Sequence, residues 1–161
     1  MRVVVAADHA GFALKAVLIP FVAGLGYEVV DLGPDTYDGI DDYPSTIRNA
    51  VVAVSNDPNT TRAIVIGGSG QGEAMVANRF PHVRAAVYYG APLGSPHADL
   101  DPIILSRQHN DANVLALGAR FLTDDDAQRA VERWLATPFS GEERHVRRIG
   151  EMEDETTDKG L

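Results

Sequence analysis

The sequence predicts an α/β protein: a single-domain α/β/α sandwich around a five-stranded parallel sheet. Short apolar runs alternate with segments of helical periodicity along the whole chain, which is the pattern of repeated βαβ units. Residues 2–7, 63–66 and 114–118 are almost entirely apolar, as expected for parallel strands that are buried on both faces. Crossovers between such strands are right-handed in ~98% of cases. The sequence therefore indicates a doubly wound, Rossmann-like sheet.

The predicted elements follow in a regular order. Strands are predicted at residues 2–7, 28–33, 63–66, 84–89 and 114–118, and helices at residues 12–25, 43–55, 74–80, 103–107, 124–136 and 141–152. Pro20 should kink the first helix or shift its start, because proline lacks a backbone N–H. Thr123, followed by three aspartates, is the predicted N-cap of the fifth predicted helix, over residues 124–136.

Length and composition exclude several classes of protein. With 161 residues and 45% hydrophobic content, we expect one domain over residues 1–150. Residues 151–161 contain five acidic residues and one lysine, and we predict a disordered tail there. The net charge of −9 argues against non-specific nucleic-acid binding. The chain has no cysteine and no apolar run that could span a membrane, so a cytoplasmic protein is expected.

A glycine-rich loop follows the predicted third strand. Gly67, Gly68, Gly70 and Gly72 occupy four of six positions, and Glu73 comes next. The loop lies between a strand end and a helix N-terminus, where α/β proteins bind anions and oxyanions. It does not match G-x-G-x-x-G, the P-loop or G-x-S-x-G. A carboxylate here would repel the phosphates of a nucleotide, so the loop should bind neither ATP nor NAD.

Other polar residues flank the predicted strands. Asp8 and His9 follow the first strand, His109 and Asn110 precede the fifth, and Arg120 follows the fifth. We expect all of them at the carboxyl edge of the sheet with the loop, because ligands bind at that edge. Each also has a structural explanation: a helix cap, a helix end or a polar turn.

The last predicted helix carries two arginines that could bind a phosphate. Arg144 and Arg148 share one helical face, which is either a phosphate clamp or a solvated surface. No histidine pair has metal-ligand spacing, so no metal is assigned. Arginines, a carboxylate base, a histidine and a loop of backbone N–H donors together suit proton transfer on a small phosphorylated metabolite, with the loop stabilising an enediolate oxyanion.

The motifs resemble those of the ribose/galactose isomerase family, particularly ribose-5-phosphate isomerase B, over about residues 1–150. The matching segments are residues 8–11, 42–44, 67–73, 77–79, 109–113 and 117–120, with Arg144 and Arg148. Family members use either a cysteine before the glycine loop or a glutamate after it as catalytic base. Ile66 stands at the first position and Glu73 at the second, so the chain resembles the glutamate branch.

The resemblance implies a role for each candidate residue. Glu73 would move the proton between C2 and C1, and His109 would be the acid that opens the furanose ring. Residues implied in binding a phosphorylated sugar are Gly68, Ser69, Gly70, Gln71 and Gly72 for the enediolate, Asp8, His9 and Asn110 for hydroxyls or phosphate, and Arg120, Arg144 and Arg148 for phosphate. The family implies no cofactor, and a homodimer in which the partner completes each site.

Two departures from the family pattern affect substrate identity more than reaction type. Gln71 stands where relatives of this branch usually have asparagine, and residues 90–102 form a loop that is longer than usual. The expected reaction is interconversion of ribose 5-phosphate and ribulose 5-phosphate in the pentose phosphate pathway. The alternatives are isomerisation of a tetrulose 4-phosphate or a hexose 6-phosphate, or a non-catalytic sugar-phosphate-binding subunit.

Overall fold

The computed structural model describes residues 1–90 and 100–153. The strands are β1 (Arg2–Ala7), β2 (Glu28–Asp31), β3 (Thr61–Gly67), β4 (Ala85–Tyr88) and β5 (Val114–Gly118). The helices are α1 (Phe12–Gly24), α2 (Tyr43–Thr46), α3 (Arg48–Asn56), α4 (Gln71–Ala77), α5 (Pro102–Asn110), α6 (Asp124–Ala136) and α7 (Glu143–Glu153). The strands form one parallel sheet in the order β2-β1-β3-β5-β4, so the predicted fold class is confirmed.

Helices cover both faces of the sheet and make two apolar cores. One core joins alternate residues of β1, β3 and β5 to α1, α5 and α6, and it includes the fully buried Trp134. The other joins the intervening strand residues to α3 and α4. Because side chains alternate across a strand, a strand between two helical layers must be apolar at every position. This accounts for the unbroken apolar runs in the sequence.

Local details differ from the sequence prediction in the second and third predicted helices. The helix predicted over residues 43–55 is two helices, α2 and α3, which are separated at the fully buried Ile47. The helix predicted to reach residue 80 ends at Ala77. Pro20 lies inside α1 without shifting its start at Phe12. Its ring removes only the N–H that would bond to the exposed Ala16 carbonyl, which water can satisfy.

Two predicted features fall partly outside the described residues. The helix α7 continues to Glu153, so the first three residues of the predicted tail are helical, and residues 154–161 lie outside the described part of the chain. Of the long loop predicted at residues 90–102, residues 91–99 lie outside the described part as well.

The Thr123 cap is confirmed, since its hydroxyl accepts a hydrogen bond from Asp126 N–H at 3.1 Å.

The strand order locates the ligand crevice. The chain passes from β1 outward to β2 and then returns to β3 on the other side of β1. In open α/β sheets, ligands bind at the carboxyl ends of the strands where the order reverses in this way. The residues that follow β1 and β3 therefore line the expected crevice.

Candidate active site

Glu73 lies folded back over the end of β3. Its side chain is 3% exposed although it stands in the first turn of α4. A Cβ at Gly67 would overlap the Glu73 carboxylate, so only glycine leaves room for it there. Gly70 begins the helix with φ +75°, a left-handed conformation that glycine adopts without steric cost. The glycines thus shape a loop that encloses one carboxylate.

Asp8 is a second buried carboxylate beside Glu73. It is 6% exposed, and its Oδ1 accepts a hydrogen bond from Gly11 N–H at 3.0 Å in the turn that leads into α1. Burial raises the pKa of the Glu73 carboxyl above its ordinary value, and the negative charge of Asp8 acts in the same direction. A more basic carboxylate is a better acceptor for a proton from carbon.

His9 is held by a residue that the sequence analysis did not single out. The Asp41 carboxylate lies 2.6 Å from His9 Nδ1, and the same oxygen accepts the His9 backbone N–H at 3.1 Å. This hydrogen bond raises the pKa of the His9 imidazole, with Asp8 contributing and the nearby Arg120 opposing. Because 32 positions separate the pair, no local pattern could indicate the contact.

Arg120 and Tyr43 cover the glycine loop. A Cβ at Gly68 would lie 3.0 Å from Arg120 Cζ, so the guanidinium rests against the loop. The Arg120 backbone N–H donates to the Gly68 carbonyl at 3.1 Å. A Cβ at Gly72 would lie 2.6 Å from Tyr43 Cζ, which places the Tyr43 ring on the other side. Asp8, His9, residues 68–73 and Arg120 therefore meet at the carboxyl edge, as predicted; we call them the carboxyl-edge half-site.

His109 and Asn110 do not lie at that edge, so their predicted position is wrong. They end α5, and the Asn110 carbonyl accepts from Arg84 Nε at 3.0 Å, immediately before β4 begins. The reason is geometric. A helix that connects two parallel strands starts at the carboxyl end of the first strand and must return to the amino end of the second. Residues that directly precede β5 therefore lie at the amino edge.

Ion pairs to Asp111 hold the turn that bears these residues. Asp111 ends α5 with φ +44°, and its carboxylate pairs with Arg107 at 2.7 Å and with Arg84 at 3.0 Å. Arg107 is 3% exposed and also donates to the Ala112 carbonyl at 2.7 Å. Two arginines on different elements thus hold one short turn, which limits how far His109 can move.

The helix α7 packs against this turn through a histidine pair. The ring centroids of His109 and His145 are 4.3 Å apart, and His145 is 2% exposed. Its Nδ1 lies 2.9 Å from Ser140 Oγ. Nothing in the spacing of His145 indicated a role in the sequence, because its contact with His109 joins two helices. Arg144 is next to His145 in the chain and Arg148 is one turn further along α7, so both belong to the amino edge.

The amino-edge half-site is the set of His109, Asn110, Arg144, Arg148 and His145. Beside it, the structure has a pocket of about 800 Å³ lined by residues 78–86, the end of α7 and residues of α5, including Asn110. Within the described ranges, no group of three or more His, Asp or Glu is arranged to hold a metal ion. Among the helices of these ranges, none has the length and apolarity needed to cross a membrane.

Comparison with known proteins identifies the family. The family model described as Ribose/Galactose Isomerase matches residues 3–152. This chain belongs to that family. Ribose-5-phosphate isomerase B from Mycobacterium tuberculosis is 37% identical over 149 residues, which cover 92% of this chain and 86% of the relative. A probable ribose-5-phosphate isomerase B from Mycoplasma pneumoniae is 34% identical over 148 residues, 92% of this chain and 90% of the relative.

Solved structures agree with this assignment. The ribose-5-phosphate isomerase B of Mycoplasma genitalium with bound ribulose-5-phosphate superimposes with a TM-score of 0.87 at 32% identity, covering 99% of this chain and 97% of that one. The isomerase B of Clostridium thermocellum superimposes with a TM-score of 0.85 at 35% identity, covering 98% and 99%. The family resemblance and the fold expected from the sequence are both confirmed.

Proposed function

We propose that this protein is an aldose–ketose isomerase that interconverts D-ribose 5-phosphate and D-ribulose 5-phosphate. The observation that supports it most strongly is the Glu73 carboxylate, buried beside the glycine loop in a member of this family. As proposed, it removes the proton from C2 of the open-chain aldose and returns it to C1. The electrons of the broken C2–H bond form the enediolate and then the ketose.

The glycine loop is proposed to stabilise the enediolate oxygen. Backbone N–H groups of residues 68–72 are suited to this because glycines let a ligand approach the main chain closely. In other enzymes, removal of one such donor costs roughly 10²–10³ in rate. Asp8 and the partner subunit's Asn110 are proposed to contact sugar hydroxyls, with no cofactor in the reaction.

The proposed active site combines residues of two chains. In one chain, the proposed acid His109 and the arginines of α7 lie at the amino edge, whereas Glu73 lies at the carboxyl edge. One chain therefore cannot place all of them around one sugar. We propose a homodimer in which the partner's amino-edge half-site completes each carboxyl-edge half-site. There, His109 of the partner subunit protonates the ring oxygen as the bond from that oxygen to C1 breaks, and the C1 hydroxyl loses its proton to solvent and becomes the aldehyde. The phosphate meets Arg120 and the α7 arginines of the partner subunit.

Mixing two inactive variants tests this arrangement. Glu73→Gln removes the base from one half-site, and His109→Ala removes the acid from the other. After co-refolding at equal amounts, half the dimers are mixed, and a two-fold dimer with shared sites gives each mixed dimer one intact site. Activity should therefore return to about a quarter of wild type. No activity above the sum of the two variants would contradict the shared site.

Substrate identity needs a separate experiment. Gln71 and the 90–102 loop depart from the family pattern, so kcat/KM should be compared over four-, five- and six-carbon sugar phosphates. The proposal expects the highest value for ribose 5-phosphate. A higher value for a tetrulose 4-phosphate or a hexose 6-phosphate would change the substrate and keep the mechanism. Absence of solvent proton exchange at C1 and C2 for every sugar phosphate would favour a binding subunit.

The proposal places the enzyme in cytoplasmic carbohydrate metabolism, in the pentose phosphate pathway. The cysteine-free sequence is compatible with that compartment. Expression of the full chain in a cell that lacks its own ribose-5-phosphate isomerases tests this placement. Restored growth on ribose is expected, and failure of a soluble, expressed protein to restore it would contradict the placement.

A further inference from the structure

We propose that Asp41 is a positioning residue for substrate binding: it fixes His9 as an imidazolium that contributes to the phosphate site. The inference rests on the proposed function, because it assumes a phosphorylated substrate at the carboxyl-edge half-site. Asp41 belongs to none of the motifs that connect the sequence to the family.

The geometry of the contact is specific. A single carboxylate oxygen of Asp41 contacts both His9 Nδ1, at 2.6 Å, and His9 N–H, at 3.1 Å. The side chain of Asp41 is 11% exposed, whereas that of His9 is 30% exposed. With Nδ1–H committed to the carboxylate, Nε2 is the ring nitrogen that remains for a ligand. Asp41 thus fixes the ring orientation and favours the ring protonated at both nitrogens, with Nε2–H free to donate.

The chain around Asp41 is folded to hold it there. Ile40 N–H donates to Asp38 Oδ1 at 3.1 Å, and Asp41 N–H donates to the Asp38 carbonyl at 3.3 Å. This compact turn leads directly to Tyr43, whose ring packs on Gly72. The segment 38–43 therefore reaches across the end of the sheet and contacts both the turn after β1 and the glycine loop.

Charged groups from three segments of the chain surround His9. His9 is influenced by Asp41 on the crossing segment, by Asp8 on its own turn and by Arg120 from the turn after β5. The two carboxylates favour the imidazolium, and the arginine opposes it. Among residues 1–90 and 100–153, Arg120 forms no ion pair. A cationic His9 beside it adds a second positive charge at the same place. A phosphate dianion would be stabilised by both.

The raised pKa of His9 determines how the loss of substrate binding in Asp41→Asn depends on pH. Below the ordinary histidine pKa, about 6.5, His9 is protonated with or without Asp41. Between that value and the raised pKa, only the wild type keeps the charge. Above the raised pKa, both lose it. The loss of binding in Asp41→Asn should therefore be largest in the middle range and smaller on either side.

Asp41→Asn in the full-length protein is the test variant, because the amide oxygen can still accept the His9 backbone N–H. NMR titration of the imidazole should show a lower pKa for His9 in Asp41→Asn than in wild type. The KM for ribose 5-phosphate should rise about 5–10-fold at a pH between about 6.5 and the wild-type His9 pKa found in that titration, while kcat changes less than KM. Comparing the variant with wild type at each pH cancels the titration of the substrate phosphate. Asp41→Glu, which keeps the charge, should recover part of the KM.

Asp35→Asn is the matched control, since it removes the same charge from an exposed position of the same loop. It should leave the pKa of His9 and the KM unchanged. An unchanged His9 pKa in Asp41→Asn, or a KM loss that is equal at all pH values, would overturn the proposal. The NMR titration requires no turnover. If wild type proved inactive, the proposed function would fail, while calorimetric binding of inorganic phosphate would still measure the effect of Asp41.

Discussion

The two half-sites are built in different ways. At the carboxyl edge, Glu73 and Asp8 are 3% and 6% exposed, and glycines bring the main chain against them. At the amino edge, the Arg144 side chain is 58% exposed, and the functional groups project from helices that ion pairs hold in place. A buried carboxylate has a raised pKa suited to proton transfer, whereas exposed arginines stay charged and accessible. The difference matches the proposed roles of proton transfer by Glu73 at the carboxyl edge and phosphate binding by the arginines of the amino edge.

The largest expected effect is on the buried half-site. Glu73→Gln keeps the shape of the side chain and removes its basicity, so kcat should fall roughly 10²–10⁴-fold. Binding of ribulose 5-phosphate, measured by calorimetry, should change far less. Glu132→Gln, on the exposed side of α6, is the control and should retain full activity. Near-normal kcat in the Glu73 variant would remove this residue from the chemistry.

The second largest effect is expected at the amino edge, for His109→Ala. Loss of the proposed ring-opening acid should lower kcat/KM for cyclic ribose 5-phosphate about 10²-fold. A four-carbon sugar phosphate that cannot close a furanose ring should lose much less. Equal losses for both substrates would exclude a ring-opening role. His82→Asn is the control at the same edge, because asparagine tolerates the left-handed φ of +62° found there.

Arg148→Ala should affect binding more than turnover. A charge-assisted hydrogen bond to phosphate contributes about 1.5–3 kcal/mol, so KM should rise roughly 10–100-fold with a smaller change in kcat. The neighbouring Arg147, whose guanidinium lies 3.8 Å from Glu151, provides the matched control. Arg147→Ala should leave KM within about 2-fold of wild type. Similar losses for both arginines would indicate general electrostatic attraction, which added salt would reduce equally.

The smallest expected effect is on thermal stability, and its pH dependence reports the buried carboxylate of the carboxyl-edge half-site. Because the pKa of the Glu73 carboxyl is raised in the fold, its contribution to stability is complete below the unfolded value, near 4.5. That contribution is lost as pH rises through the raised pKa. Glu73→Gln should therefore raise Tm at pH 7.5 by roughly 2–4 °C, and by less at pH 4.5.

Calorimetry at fixed protein concentration measures this difference, since association alone can change Tm. Glu132→Gln should show no comparable dependence on pH. A Glu73→Gln variant that melts below wild type at pH 7.5 would contradict a destabilising buried carboxylate. It would mean that contacts of the ionised side chain outweigh the cost of its burial.

Several features could be predicted because they depend on neighbours in the chain. Buried parallel strands are apolar at every position, so the run that ends at Gly67 identified β3 without any tertiary information. A cluster of glycines between strand and helix, followed by Glu73, specified a tight loop with a carboxylate. The Thr123 cap is similarly local, since donor and acceptor are three residues apart.

Other features were decided only by the tertiary structure. The sequence placed His109 with Glu73, but the edge at which a residue lies depends on the direction in which a helix returns to a parallel strand. The contacts between His9 and Asp41 and between His109 and His145 join segments separated by 32 and 36 positions. Local periodicity reports which face of an element is buried; it contains no information on which distant side chain will lie against it.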